Sequence, residues 1–396
     1  MPSPSFLMSL TPSITIVVPT FKEAENLPLL VPQVAAAFRD HPVARNWTWE
    51  MIIVDDNSPD ATKHVLDQLA ARFPQVRYLI RTHERGLSSA VLAGVALSRN
   101  DYIVVMDADL SHPPESIPTL VEPLLRDQAD FVIGSRYVDG GKTEDWSRFR
   151  WLNSAGATLL ARPLVGAIKD PMAGFFAFRR EALRLADPLN PIGYKIGLEL
   201  VAKTHIAPAR VMEVPITFRN RVHGQSKLTL KEQFRYLEHL SRLYDYKFPK
   251  GSPRAKFLIA VGCGAIASFV TLGAFDHARF APIISIAAGL LAMIAVTLVF
   301  FVRYVRTQRD FIVMKYPFSE FTYISMAEFI SGWAFAVATT ANIYVQMAVG
   351  LTIAMLVRYT LRKVFLHDLR GIRGVAREHP ALGMSFPATQ NPAASA

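Results

Sequence analysis

The sequence predicts an α/β domain built on a mostly parallel sheet, followed by an all-α membrane domain. Three observations predict it. Short β-branched runs alternate with helix-like segments through the first half. That is the pattern of strands buried on both faces and joined by helices. Acidic residues stand directly after several of these runs. From about residue 257 to 360 the chain is mostly apolar, in stretches about long enough to cross a bilayer.

The strand-like runs are "ITIVVP" (14–19), "MIIVDD" (51–56), "VRYLI" (76–80), "YIVVMD" (102–107) and "DFVIGS" (130–135). Helical patterns fall between them, over 24–40, 59–73, 87–99 and 114–128. Later strands, "GFFAFRR" (174–180) and "VMEVPITFR" (211–219), are less regular. Leu230, Phe234, Leu237 and Tyr244 then recur at helical spacing among charged residues. This predicts an amphipathic helix on a membrane surface. A helix facing the core of the soluble domain is the other reading. "KFPKGSP" (247–253) breaks the chain before four apolar spans at 257–275, 281–302, 319–338 and 341–357. Glu320 and Glu328 make the third span the least regular. Arg and Lys gather before the first span and after the second and fourth. The positive-inside rule then puts the first half and the C-terminus in the cytosol. The tail from about 378 is Pro/Ala-rich and reads as disordered.

Composition narrows the function. Of 396 residues, 51% are hydrophobic and 19% charged. The formal charge of +10 does not point to nucleic acid, because much of the excess flanks the apolar spans. The single cysteine, Cys263, excludes an intrachain disulfide framework. "MPSPSFLMSL" shows no signal-peptide pattern. "VGCGAIAS" (261–268) matches a dinucleotide fingerprint but lies in an apolar span, where small residues serve close helix packing.

In doubly wound sheets ligands bind beyond the carboxyl ends of the strands. "PTFKE" (19–23), "DDNSPD" (55–60) and "DADLSH" (107–112) all fall at such ends. A polar turn accounts for one carboxylate of "DADLSH". An acid/base pair needs an asymmetry between its members that nothing here supplies. A divalent cation accounts for both Asp107 and Asp109, because Mg²⁺ or Mn²⁺ takes a few carboxylate oxygens and leaves positions for water and phosphate. His112 is a candidate ligand or an outward-pointing side chain. In "DDNSPD", Ser58 and Pro59 suit a helix start. Asp55 and Asp56 then serve either the cap or a nucleobase and ribose. Glu23 stands at a third strand end, with Phe21 as a stacking surface.

The order "VVPTFKEAENL", "VDDNSPDAT", "RGLSSAVLAG", "MDADLSHPPE", "IGSRY", "DPMAGFFAFRR", "GYKIGLELV" and "VPITFRNRVHGQSKL" closely resembles the polyprenol-phosphate (dolichol-phosphate) mannose synthases, family 2 glycosyltransferases of GT-A fold. The resemblance runs from about 14 to 230. The four-span region is similar, mainly in hydropathy, to GtrA-type membrane domains. It implies a GT-A domain over 1–227, a juxtamembrane helix over 228–250, a membrane domain over 251–365 and a cytosolic tail over 366–396.

The resemblance also implies roles. Pro19, Phe21, Glu23, Asp55 and Asp56 would line the nucleotide pocket. Asp107, Ala108 and Asp109 would meet the donor diphosphate and the metal, Mg²⁺ or Mn²⁺. Ser111 stands where some relatives carry Gln, and would be a third, weaker ligand or act through water. Arg136, Arg150 and Ser154 would hold the acceptor phosphate, with Asp109, Arg136 and Arg150 at the catalytic centre. Arg221 and Lys227 would grip the donor diphosphate. Two anions must meet in such a site, which calls for fixed cations.

The expected reaction is inverting, metal-dependent transfer of one sugar, with GDP-mannose favoured, to dolichyl or undecaprenyl phosphate. UDP-glucose and UDP-N-acetylglucosamine are the alternative donors. The expected partners are the nucleotide sugar, the lipid acceptor and membrane lipids, with no nucleic acid and an oligomer left open. The expected location is a multi-pass protein of the bacterial plasma membrane or endoplasmic reticulum membrane, its catalytic half cytosolic. A processive polysaccharide synthase is the weaker reading: "TED" (143–145) and "RFRW" (148–151) echo its signatures but are nearly contiguous here. A non-catalytic flippase or scaffold is weaker still, given the acidic strand ends.

Overall fold

The computed structural model describes residues 11–144, 148–223, 230–249, 251–304 and 318–368. Its contacts divide the described chain into a sheet-bearing unit up to Leu243 and a helical unit from Tyr244.

The sheet unit begins β1 (Ser13–Thr20), α1 (Leu27–Asp40), β2 (Thr48–Asp55), α2 (Thr62–Arg72), β3 (Val76–Ile80), α3 (Leu87–Leu97) and β4 (Tyr102–Val105). It continues with α4 (Ile117–Leu125), β5 (Phe131–Ser135), β6 (Lys142–Thr143), α5 (Arg148–Val165), β7 (Phe176–Arg179) and α6 (Ile196–Lys203). β8 (Val211–Pro215), β9 (Thr217–Phe218) and most of α7 (Leu230–Lys247) complete it. Seven strands form one sheet in the order β3-β2-β1-β4-β7-β5-β8. Only β7 runs antiparallel to its neighbours. β6 and β9 form a separate parallel pair.

The inner strands are buried on both faces, as their unbroken apolar runs require, while the edge strands β3 and β8 are half-buried. Ile14, Ile16 and Val18 of β1 pack with Leu27, Leu30, Val34 and Phe38 of α1. Val17 points the other way, toward Val91 and Val95 of α3. Two expected strands are shorter than their apolar runs. β4 stops at Val105, so Asp107 and Asp109 lie in the loop beyond it. The run 211–219 divides, because Pro215 ends β8 and the chain then pairs with β6.

α7 corrects the picture of a helix with a single apolar face. Tyr236, His239, Leu240 and Leu243 are buried. The Tyr236 hydroxyl donates to the carbonyl of Ala157 at 2.8 Å, and His239 bonds Glu199. Phe234 and Leu237, on the nearly opposite side at 100° per residue, are exposed. The helix therefore packs on the sheet unit and also presents an apolar face.

The helical unit comprises α8 (Ser252–His277), α9 (Pro282–Tyr304), α10 (Phe318–Ala338) and α11 (Ile343–Asp368). Among the described residues three stretches are long and apolar enough to cross a membrane: Leu258–His277, Pro282–Phe300 and Ile343–Leu361. The apolar part of α10, Tyr323–Ala338, is shorter. "VGCGAIAS" lies in mid-α8, where Gly264 meets Met293 and the Ser268 hydroxyl donates to the Gly289 carbonyl at 2.8 Å. It is a helix-packing seam. α10 and α11 meet along Gly332 and Ala336 on one side and Gly350 and Ala354 on the other. One turn further along this seam, Arg358 Nε donates to Glu328 Oε2 at 2.8 Å.

Candidate active site

The site is assembled where β2, β1 and β4, adjacent and parallel, run out of the sheet. Each exit loop carries a non-glycine residue in the left-handed region: Lys22 (φ 59°), Asn57 (φ 53°) and Leu110 (φ 62°). Asn tolerates this conformation, whereas Lys and Leu hold it against a steric cost. Such outliers concentrate where a loop must present specific groups.

On the first loop, Pro19 is buried in β1 and Phe21 is partly exposed. Lys22 Nζ and the Arg85 guanidinium each stand 5.6 Å from the Phe21 ring centre. Glu23 Oε2 accepts from Asn26 Nδ2 at 2.6 Å, and the same amide reaches the carbonyl of His223 at 3.3 Å.

On the second loop, Asp55 accepts the Ser58 N–H at 2.8 Å and the Ser58 hydroxyl at 2.5 Å. Ser58 therefore closes a turn and does not cap a helix, and α2 starts only at Thr62. Asp56 accepts Arg81 Nε at 2.8 Å and the Gly86 N–H at 2.7 Å. Arg81 also donates to the Ser89 hydroxyl and the Gly86 carbonyl. Gly86 has φ 143°, which an L side chain rarely adopts.

The third loop carries the central carboxylates. Asp109 is buried. Its Oδ1 accepts the Ser111 hydroxyl at 2.5 Å and the Ser111 N–H at 3.1 Å, and its Oδ2 lies 3.0 Å from Arg221 Nε. Ser111 is buried and faces Asp109. Ala108 is buried as well. The Asp107 side chain is about one third exposed, and among the described residues nothing donates to its carboxylate. Partial burial pushes the Asp107 carboxyl up, and the Asp109 charge adds to this against His112, Arg221 and Lys195.

His112 does not point outward. It is buried, its ring stacks on Phe175 at 5.2 Å, and its Nδ1 accepts the Asp107 N–H at 3.0 Å. That bond leaves any ring proton on Nε2, 3.9 Å from Asp107 Oδ2. Burial pushes the imidazole below its usual value, favouring the neutral ring. Gly174 passes alongside: a Cβ there would stand 3.2 Å from His112 Cε1 and 3.5 Å from Asp107 Oδ2.

On the far side of β4, the Arg136 guanidinium is clamped by the fully buried Asp170, Nε to Oδ2 and Nη2 to Oδ1, each at 2.7 Å. The Ser154 hydroxyl on α5 bonds the Tyr137 hydroxyl at 2.8 Å. Lys195, at the start of α6, donates to the Met172 carbonyl at 2.7 Å. Burial and the charge of Arg136 bring its ammonium down to about 8, against the pull of Asp170 and Asp107. The Arg150 side chain and Lys227 lie outside the described residues.

The structure thus gathers Phe21, Glu23, Asp55, Asp56, Asp107, Asp109 and Arg221 at one sheet edge. It adds Arg81, Asp170, Gly174 and Lys195, which the sequence reading did not single out. The one signal for Lys195 was its place in "GYKIGLELV", a charge just ahead of an apolar helix.

The donor set suits a divalent cation. Asp107 offers carboxylate oxygens to which no described residue donates, beside a second carboxylate two residues on. Among the described residues no three His, Cys, Asp or Glu side chains converge on one point.

The mostly parallel sheet and a match to a family of known chemistry set the class: a glycosyltransferase. Residues 15–185 match the glycosyl transferase family 2, and the chain belongs to that family. It is 42% identical over 242 residues to a dolichol-phosphate mannosyltransferase of Mycosarcoma maydis, covering 61% of this chain and 82% of that protein. It is 43% identical over 237 residues to a dolichol-phosphate mannosyltransferase of Pyrococcus furiosus. That match takes in 59% of this chain and 64% of the relative, just under two thirds of its length. Among solved structures, a glucosyl-3-phosphoglycerate synthase from Mycobacterium tuberculosis with Mn²⁺, UDP-glucose and phosphoglyceric acid is 21% identical, with a TM-score of 0.44. It covers 59% of this chain and 79% of its own.

Proposed function

We propose that this enzyme transfers a single mannosyl group from GDP-mannose to the phosphate of a membrane polyprenol, with inversion at the anomeric carbon. The observation that carries the reading is the meeting of Asp107, Asp109 and Arg221 at the exit of β4, beside the acidic exits of β1 and β2. The names borne by the mannosyltransferase relatives support the sugar and the acceptor class.

Phe21, Asp55 and Asp56 would take the nucleoside, with Glu23 bracing its loop through Asn26. Asp107 and Asp109 would hold Mg²⁺ or Mn²⁺, which when bound supplies charge neutralisation for the departing nucleoside diphosphate. Ser111 orients Asp109 through the bond to Oδ1. Arg221 would follow the diphosphate as a second cation, with Lys227 further along the same segment. An acceptor phosphate reaches the site already ionised, so its oxygen attacks the anomeric carbon with no general base. The C1–O bond to the nucleoside diphosphate breaks as the new one forms.

Arg150 and Ser154 would place the acceptor phosphate. α5 also exposes Trp151, Leu152, Leu159 and Leu160. Exposed apolar side chains on the helix that carries Arg150 and Ser154 would suit a prenyl chain. Arg136 would act through Asp170, holding the exit of β5 in place. Phe234 and Leu237 of α7 would face lipid, and the basic residues flanking the apolar helices would keep the sheet unit cytosolic.

The test uses purified protein, a polyprenyl phosphate, Mg²⁺ or Mn²⁺ and a panel of nucleotide sugars. GDP-mannose should yield a lipid carrying one sugar, with the anomeric configuration inverted. Asp109→Ala should remove that activity while the protein stays folded. Wild-type turnover by Asp109→Ala would end the metal assignment, and preferential use of a UDP sugar would replace the donor.

A further inference from the structure

Glu213 stands where β8 would otherwise carry an apolar side chain. In the parallel register it lies opposite Ile133 of β5. Val211, two residues earlier on the same face, packs against the core cluster that holds Ile133. The half-buried Glu213 carboxylate is given to backbone instead. Its Oε2 accepts the Lys169 N–H and its Oε1 the Asp170 N–H, each at 2.8 Å. One side chain that takes two consecutive N–H groups fixes the direction of both peptides. The turn it holds serves the site twice. Asp170 is fully buried and takes the Arg136 N–H at 3.0 Å besides the two guanidinium bonds at 2.7 Å. The Met172 carbonyl, two residues on, takes Lys195 Nζ. The Arg136 guanidinium lies 5.2 Å from the Tyr137 ring centre and 5.5 Å from that of Phe218. The Tyr137 hydroxyl then reaches Ser154. A continuous chain of contacts therefore runs from Glu213, through Asp170 and the exit of β5, to α5.

We propose that Glu213 is a positioning residue for the acceptor phosphate: through Asp170 and Arg136 it sets where Ser154 and its helix stand. This rests on the reading of α5 as the acceptor side and adds the residue that aligns it. Glu213 itself touches no substrate. Gln in its place keeps one acceptor oxygen and turns an amide N–H toward a backbone N–H, so one of the two peptides is released. The turn then loosens and Asp170 shifts against Arg136. The exits of β1, β2 and β4, where the donor would sit, keep their own bonds. The acceptor side should therefore suffer and the donor side should not.

The experiment is steady-state transfer by the full-length protein in detergent, with Mg²⁺, GDP-mannose and a polyprenyl phosphate, joined to calorimetric titration with GDP. Glu213→Gln should raise KM for the polyprenyl phosphate about fivefold or more, and leave GDP affinity and KM for GDP-mannose within about twofold of wild type. GDP binding also verifies that each variant is folded. Arg136→Lys, which keeps the charge opposite Asp170 but loses the fork, completes a double-mutant cycle. Because Glu213 acts through Arg136, the double variant should raise the acceptor KM no more than about twofold beyond the worse single variant. Effects that multiply would overturn the proposal. So would an unchanged acceptor KM in Glu213→Gln, or equal losses on both substrates, which a merely structural carboxylate would give. Each of these results leaves the transferase reading standing. If Glu213→Gln does not fold, Glu213→Asp, a carboxylate one methylene shorter, takes its place under the same criteria. A wild type that binds GDP but transfers to no polyprenyl phosphate would bring down the acceptor reading and the proposal with it.

Discussion

A metal ion at Asp109 would meet a cation that the carboxylate already holds. Its Oδ2 lies 3.0 Å from Arg221 Nε, and its Oδ1 is taken by Ser111. Metal and arginine therefore compete for one oxygen until a diphosphate offers Arg221 another partner. Arg221→Ala should tighten Mn²⁺ binding measured without nucleotide, by several-fold, yet slow sugar transfer. A plain diphosphate grip predicts no change in Mn²⁺ affinity, and electron paramagnetic resonance titration separates the two. Lys195 gives a second test. Its folded value of about 8 lies below the ordinary 10.5, so between these values the unfolded chain binds the extra proton. Stability must then rise with pH across that window. Lys195→Met should remove this contribution, seen as a flatter melting temperature from pH 8 to 10 than in wild type. The carboxylate pair of "DADLSH" was legible because its members stand two residues apart. Arg81 and Lys195 were not, because what defines them is distant in the chain. Arg81 reaches back 25 residues to Asp56, and Lys195 is set by a pocket of Met172, Arg136 and Asp170.

α6 links the site to α7. It begins beside Lys195 and carries Glu199, which is fully buried and bonds Lys203 Nζ at 2.7 Å, His239 Nε2 at 2.8 Å and the Asn190 N–H at 2.6 Å. Burial alone would raise this carboxyl, but the His239 and Lys203 bonds and charges outweigh it and hold it low. Removing one member of such a network leaves the others buried without their counter-charge, at a cost of about 3–5 kcal/mol. Glu199→Ala should lower the melting temperature markedly, while Glu199→Gln, which keeps an acceptor, should lose less. Equal, small losses in both would show that the pair contributes little. The depressed carboxyl also means that this stability is lost as pH falls through its folded value. α7 shows where periodicity misled. Phe234 and Leu237 mark a real apolar face, but the stripe that docks the helix contains Tyr236 and His239, whose polar atoms hid it from a hydropathy reading. The βα order was plain, since each apolar run is β-branched and bounded by polar turns. The ends were less so, and β4 stops two residues short of Asp107.

At the scale of the molecule, the two units have separate cores. Ile14, Phe131, Phe176 and their neighbours fill the sheet unit. Leu272, Leu290, Met347 and Ala354 fill the helical one. A domain with its own core can fold alone. The functional loops named above all belong to the sheet unit, which without the membrane helices would retain the exposed apolar side chains of α5 and α7. A chain ending at Pro249 should therefore fold and bind GDP with the affinity of the full-length protein. It should turn over a short, water-soluble prenyl phosphate at the same rate. On vesicles carrying a long polyprenyl phosphate it should be much slower, because the acceptor is confined to the bilayer and the truncated protein is not. Restoring the rate by raising its concentration over the vesicles would identify the helical unit as an anchor. A truncated chain that binds GDP but transfers to neither acceptor would instead place part of the acceptor machinery beyond residue 249.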